Sequence, residues 1–475
     1  MPINSFLYPA KNVPTAYEVA NSCRFDRGST DFLNKTLGTP TNVDKATFST
    51  WVKFTDTSSG NDATLFGVLA DGNNTTYIQL LGSKVIRLNM RESTSYIGVL
   101  TTNRVFRDPS AWYHIVVAFD TTQGTDSNRI KLYINGVQET SFSTATYPSQ
   151  NTDLRFNTSG QVFNIGRRGD SVNLLDGYLA ETVFIDGQQL TPTSFGEFDE
   201  DSGIWKPIDV SGLTFGNNGF YLDYEDSGNL GNDKNGGTDL TVNNLTAIDQ
   251  TTDTCTNNFA TMNPLDLHFT NDTLSEGNLL VTNGANYGFP ISTFGLSSGK
   301  WYFECQTSSW TSGDLAVGIS ARGSDAIGDE FSNNTGGGKG YGFRSNGGVY
   351  GNSATIVGAG GYTTGSGTHI IGMALNLDDN KLAFSVNGTW QGSTDPDSGT
   401  TNMISIEASS TNDTGVYFIA LSGANSGAQT MNANFGSPAF SISSGNADGN
   451  GYGNFEYAVP TGYHSICTKN LAEYG

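Results

Sequence analysis

Three groups of residues have the polarity and spacing to do chemistry. The first is Glu197-Phe198-Asp199-Glu200-Asp201, which sets acids at alternate positions. Glycosidic hydrolysis with retention needs an acid and a nucleophile about 5–5.5 Å apart, a separation that alternate residues of one strand can supply. This run has no β-branched residue and is flanked by Gly196 and by Ser202-Gly203. It is therefore expected as a solvated connector. The second group, Asp223, Asp226 and Asp233, offers oxygen ligands of the kind Ca2+ takes. Glu225 and Gly228 fall where a calcium loop would have them, but Lys234 stands at the twelfth position, where an EF-hand loop needs a bidentate Glu. The three aspartates are thus a candidate Ca2+ site of another kind, with a hydrated acidic loop as the alternative. Asp170 and Asp176 form a similar pair upstream. The third group is Tyr341, Tyr350 and Tyr362, spread through the glycine-rich stretch 337–367. On exposed loops they would be a candidate ligand-binding platform; packed on a glycine-rich sheet they would be core.

No histidine supports nucleophilic catalysis. His114 is embedded in WYHIVV, His369 opens an apolar strand, and His268 and His464 flank strand-rich regions. The four cysteines, Cys23, Cys255, Cys305 and Cys467, show no C-x-x-C spacing. So few in a chain of this length do not make a disulfide framework, and Cys305, alternating with Trp301 and Phe303, is expected as a buried thiol.

Strands and turns must position these residues. In KLAFSVNGTW (Lys381 to Trp390), Leu382, Phe384 and Val386 alternate with Lys381, Ala383 and Ser385 and run into Asn387-Gly388. Period two predicts a half-buried strand, and Asn-Gly predicts a type I′ hairpin turn. RIKLYINGVQE repeats the device, ending at Asn135-Gly136. Two hairpins of one design, some 250 residues apart, predict two tandem antiparallel β-sandwiches in an all-β chain. The expected division is an N-terminal arm (1–20), a first sandwich (21–196), an acidic connector rich in Gly, Asn and Asp (197–266), a second sandwich (267–443) and a C-terminal tail (444–475). The connector holds twelve of the acidic residues up to Asp253 against Lys206 and Lys234 alone. Phe6, Leu7 and Tyr8 give the proline-rich arm an apolar cluster that a neighbouring subunit would cover; a mobile tail is the alternative.

The chain has 475 residues, with 59 Gly and a formal net charge of −22 although only 15% of its residues are charged. Nucleic acid is an unfavourable partner, since binding it calls for a basic stripe. No segment reaches the roughly 18 apolar residues of a membrane-spanning helix, and the N-terminus lacks the basic and apolar regions of a signal peptide.

Two family resemblances refine this reading. STWVKF, WYHIVVAFD, KLYINGV and NIGRR followed by DGYLAETVFIDGQQLT resemble, in order and wording, the laminin G-like, concanavalin A-like lectin domains. That resemblance implies a long central strand at Gly177 to Asp186. The sandwich glucanases of this fold carry an E-x-D-x-x-E strand, which the run at Glu197 does not complete. GKWYFE, VGIS, GYGF, IGMALNLDDNKLAFSVNGTW and NFG follow the order of the SPRY (B30.2-like) sandwich, whose members bind partners through loops between strands. The whole order, from FLYPAKNVPTAYEVANS to PTGYHSICTKNL, is similar to that of virion structural proteins of tailed phages of aquatic bacteria. It implies a non-enzymatic virion component (decoration, fibre or tail appendage), assembled in the host cytoplasm. Other virion proteins and further copies of the chain, as a trimer, would be its partners, and a host-surface glycan its ligand. The alternatives are a secreted or cell-surface glycan-binding adhesin and, behind it, a polysaccharide hydrolase.

Overall fold

Alternation decides the first sandwich. Along Trp112–Asp120, Ile115, Val117 and Phe119 enter one core cluster while Val116 and Ala118 enter another on the opposite face. The computed structural model describes residues 17–475 other than 57, 59, 170–171, 268–271, 284–288, 311–314, 322–339, 353, 413 and 424–428. Within these the chain is nearly all β, in two tandem antiparallel sandwiches, with one short α-helix at Thr468–Tyr474.

The first sandwich has two eight-stranded sheets. One, here the junction sheet, is ordered Val137–Gln138, Ile130–Ile134, Trp112–Asp120, Lys45–Phe54, Gly177–Asp186, Ser22–Phe25 and Gln250–Thr251, with Phe220–Leu222 also paired to Gly177–Asp186. The other, the open sheet, is ordered Phe142–Thr146, Ser95–Val105, Val85–Glu92, Asn74–Leu80, Ala63–Asp71, Val162–Ile165, Phe32–Thr36 and Thr241–Asn243. The central strand spans Gly177–Asp186, as the resemblance implied, and all ten of its residues are buried. Between the sheets Phe48, Phe66, Phe163 and Phe184 pack ring against ring. Each such side chain stabilises the fold by about 1.5–3 kcal/mol through burial.

Segment 197–266 was expected to lie along the modules as a connector. It instead supplies three strands to these sheets, at Phe220–Leu222, Thr241–Asn243 and Gln250–Thr251. Phe220, Leu222, Tyr224, Leu230, Leu240 and Leu245 from this stretch enter the first core. The strands have only two or three residues each, too few for alternation to register, and acidic residues surround them.

The second sandwich pairs an eight-stranded sheet, running from Thr273–Ser275 through Lys300–Trp310 and Gly365–Asn376 to Thr389–Trp390, with a five-stranded one. The latter is ordered Ala354–Val357, Val349–Gly351, Gly340–Arg344, Ala316–Ser320 and Phe418–Ser422. Both Asn-Gly turns have the expected backbone: Asn135 and Gly136 at φ 47° and 79°, Asn387 and Gly388 at 48° and 77°. A Cβ on Gly136 would stand 2.3 Å from the Trp205 ring, so bare glycine also lets the indole lie flat on the turn. The tail folds back, with Phe455 and Tyr463 buried against Tyr302 of the eight-stranded sheet.

Buried cations join the sandwiches. Lys53, on the outer face of the junction sheet and fully buried, donates to Asp253 Oδ2 at 2.7 Å, Asn258 Oδ1 at 2.8 Å and the Phe259 carbonyl at 3.1 Å. Arg24, equally buried, pairs with Asp249 at 3.1 Å and Glu276 at 3.3 Å and donates to the Pro438 carbonyl. Tyr178 donates to the Gly277 carbonyl at 2.9 Å, and Asn278 donates from its amide to the Thr55 carbonyl at 3.2 Å.

Candidate functional site

The two faces of the first sandwich differ in what lies over them. The outer face of the junction sheet is sealed by the chain itself. Phe195, Val210 and Phe215 cover Val116, Ala118, Val183 and Ile185, and Val19 and Trp205 cover Trp51 and Ala180. Several polar groups under this cover are paired, although the Trp51 indole nitrogen has no partner in the protein. Trp205 donates its indole N–H to His114 Nδ1 at 2.9 Å, and His114 Nε2 lies 2.8 Å from Ser49 Oγ. An indole nitrogen can only donate, so Nδ1 is the acceptor and Nε2 carries the proton toward Ser49. Burial lowers the His114 pKa to about 3, which keeps the ring neutral. An imidazole that donates to a serine cannot take its proton, so this pair is structural rather than a nucleophile and base.

Glu181 is the other polar group under the cover. It sits at the irregularity between Ala180 and Val183 with φ 47° and is 5% exposed. Tyr221 and Tyr17 donate to its carboxylate at 2.8 and 3.1 Å. Burial, reinforced by Asp223 and Glu225, outweighs those two bonds and pushes its pKa up to about 7. Sequence gave no warning of it: one Glu in a run of apolar residues reads as an exposed position.

The open sheet has no such cover; among the described residues no apolar cluster lies over its outer face. Two rows of side chains cross it. One is Asn164, Gly67, Tyr77, Asn89 and Val99, each the ladder partner of the next. The other is Thr64, Gln79, Arg87 and Thr101, paired in the same way. The intervening residues, among them Leu65, Ile78, Leu88 and Leu100, point into the core, so period two fixes which groups face out.

Gly67 matters for a steric reason. A Cβ there would come within 2.7 Å of the Arg168 backbone, so glycine lets the loop after Val162–Ile165 cross the sheet at this point. The crossing carries the Arg168 guanidinium to 5.7 Å from the Tyr77 ring centre, and Arg167 Nε donates to Asn164 Oδ1 at 2.9 Å. Tyr77, Arg87 and Arg91 are half-buried, while Gln79, Asn89 and Thr101 lie buried between them as a floor. Gln79 donates to Thr64 at 2.8 Å. Arg87 Nε, Asn89 Nδ2 and Thr101 Oγ1, however, are buried with no hydrogen-bond partner in the protein. A buried donor without a partner costs about 1–3 kcal/mol, so three neighbouring ones mark a surface completed by water or by a ligand rich in hydroxyl groups.

The residues singled out from sequence fall elsewhere. Tyr341, Tyr350 and Tyr362 do not form one platform. Tyr341 pairs with Gly351, and Tyr350 with Gly342, so period two turns them to opposite faces of the five-stranded sheet. Tyr341 is a core residue whose hydroxyl accepts from Asn352 and the Glu407 N–H, both at 3.0 Å. Tyr350 lies beneath Arg344, and Tyr362 packs edge-on to Phe343. Asp223, Asp226 and Asp233 do not fit a Ca2+ site. Asp223 pairs with Lys234 at 2.8 Å and Asp233 with Lys35 at 3.6 Å. Asp233 also accepts from the Tyr221 N–H, and Asp226 from the Gly228 N–H. Among the described residues no three His, Cys, Asp or Glu side chains are grouped to hold a metal. Glu197 and Asp199 flank Lys206 in an exposed two-stranded hairpin. Phe6, Leu7, Tyr8 and Asp170 lie outside the described residues.

Residues 28–194 match a laminin G-type family model described as the concanavalin A-like lectin/glucanases superfamily. The solved structures similar to the chain include domains LG4-5 of the mouse laminin alpha1 chain, at 10% identity over 88% of this chain and 89% of that one, TM-score 0.32. The SPRY domain of human HERC1 is similar at 14% identity over 36% of this chain and 96% of its own, TM-score 0.27. The SAP-like pentraxin of Limulus polyphemus is similar at 17% identity over 37% and 80%, TM-score 0.28. No curated protein sequence matches the chain.

Proposed function

We propose that the chain is a non-enzymatic glycan-binding component of a phage virion, and that the glycan lies on the open face of the first sandwich. The observation that carries the binding role is the set of unpartnered buried groups, Arg87 Nε, Asn89 Nδ2 and Thr101 Oγ1, beside the half-buried Tyr77 ring. A sugar offers hydroxyls to such groups and a C–H face to the ring. Binding without cleavage is supported by the absence of a carboxylate from both rows of the face. The virion setting rests on the likeness of the whole module order to phage structural proteins, with other virion proteins and further copies of the chain as partners.

The test is retention of the purified chain on immobilised polysaccharides and a glycan array, with Tyr77→Ala and Asn89→Leu as variants. Retention of the wild type, weakened in both folded variants, is the expected result; wild-type retention unchanged in both would remove the open face as the site. Mass spectrometry of purified particles tests the setting separately. Deleting residues 1 to 16, which spares the strap at Tyr17–Val19, should abolish incorporation; a truncated chain that still joins the particle would remove the arm as its attachment.

A further inference from the structure

We infer that the open face selects an anionic glycan, whose carboxylate or sulfate is held by Arg87 beside Tyr77. This rests on the glycan-binding reading of the same face. Lys35, Lys45, Lys53, Arg24, Arg27 and Arg104 have carboxylate partners, while Arg129 and Arg155 are bonded to neutral carbonyl or amide oxygens. Arg87 makes no ion pair among the described residues, and its Nε is buried without a partner.

The geometry around Arg87 suits an anion bound on a sugar. Its ladder partners Gln79 and Thr101 flank it across the sheet, and Asn89 lies two residues along the same strand. Burial raises the Tyr77 pKa, and the charges of Arg168 and Arg87 oppose that rise. Guanidinium groups meet carboxylate and sulfate oxygens through paired N–H bonds, and at a half-buried site such charge-assisted bonds exceed those to neutral hydroxyls. A protein of net charge −22 otherwise repels polyanions, so retention of one would report a local site and not general attraction.

The experiment is affinity electrophoresis of the full chain through gels holding polygalacturonate, its fully methyl-esterified form, dextran sulfate or plain dextran. The esterified polymer keeps the backbone and removes the charge. Expected is retardation by polygalacturonate or dextran sulfate, with affinity for the esterified or plain polymer lower by about tenfold or more. Arg87→Gln should remove that difference, and Thr101→Val offers a second probe if Arg87→Gln fails to fold. Whichever polyanion retards the chain at higher salt identifies carboxylate or sulfate as the group recognised. Equal affinity for charged and neutral polymers, or polyanion binding that survives both substitutions, would overturn the anionic selection and leave the glycan reading intact. If neither these gels nor the glycan array shows any retention, both fall.

Discussion

The two sheets of the first sandwich start from one rule and end differently. Each turns alternate side chains outward, yet the junction sheet's outward face is covered by the chain itself while the open sheet's is not. On the junction sheet, Lys53, Arg24, His114 and Glu181 all find partners in segments that arrive from 195–276 or from the strap at Tyr17–Val19. On the open sheet, Arg87, Asn89 and Thr101 retain unpaired atoms. The difference teaches that a polar residue facing out of a strand is ambiguous: the rest of the chain decides whether it is a clasp or a contact surface.

Substitutions can break this contrast. The largest effect is expected at Lys53. Removing it by Lys53→Ala leaves Asp253 buried without its cation, and destabilisation of about 3–5 kcal/mol in denaturant unfolding should follow. Loss under about 1 kcal/mol would mean that the junction is hydrated in solution. Next is Gly136→Val, where a β-branched residue at φ 79° also collides with Trp205. A loss of about 2–3 kcal/mol is expected, together with exposure of the indole to a fluorescence quencher. Gly388→Val, whose Cβ would meet the Tyr457 ring at 2.4 Å, should injure the second sandwich similarly.

The third effect depends on pH. Glu181 has a folded pKa of about 7, above the 4.5 of a free Glu. The folded state therefore favours its protonated form, so its contribution is fully present below pH 4.5 and is lost as pH rises through 7. Melting temperature should fall between pH 5 and pH 8 more steeply in the wild type than in Glu181→Gln, by an amount on the order of 1–2 kcal/mol. Parallel profiles for the two proteins would place the titration elsewhere, at Asp31 or Asp176, which burial also pushes to about 7. The smallest effect belongs to the open sheet. Asn89→Leu removes a donor that has no partner, and stability should stay within about 0.5 kcal/mol of the wild type or rise. A loss like that at Lys53 would show that the face is packed as tightly as its counterpart.

Much of the framework was legible because it rests on local chemistry. Asn135-Gly136 and Asn387-Gly388 turn the chain wherever they stand, and runs such as Leu382, Phe384, Val386 announce their buried face. The acidic segment was not legible. Its contribution is three short strands and a handful of apolar residues, and the charges of Asp223 and Asp233 are answered by Lys234 and by Lys35, the latter some 200 residues away in sequence. The tyrosine trio failed for a related reason: a glycine-rich stretch does not tell which tyrosine faces the core, and only the pairing of Tyr341 with Gly351 decides it. Arg87 and Asn89 stood in plain view in VIRLNM, but an outward arginine gains meaning only when its partner is seen to be missing.

The bonds from Lys53, Arg24, Tyr178 and Asn278 have a consequence for avidity. Four side chains hydrogen-bonded to backbone carbonyls across the junction tie the two sandwiches together and oppose pivoting. A flexible tether would let two binding modules adjust to ligands of any spacing, at a modest effective concentration. A welded pair cannot adjust. In an assembly of several copies, the distances between open faces would be set by symmetry alone, and a repetitive polymer would be gripped strongly when its repeat matches those distances and hardly at all when it does not. Such an assembly would respond to the spacing of its ligand as well as to its chemistry.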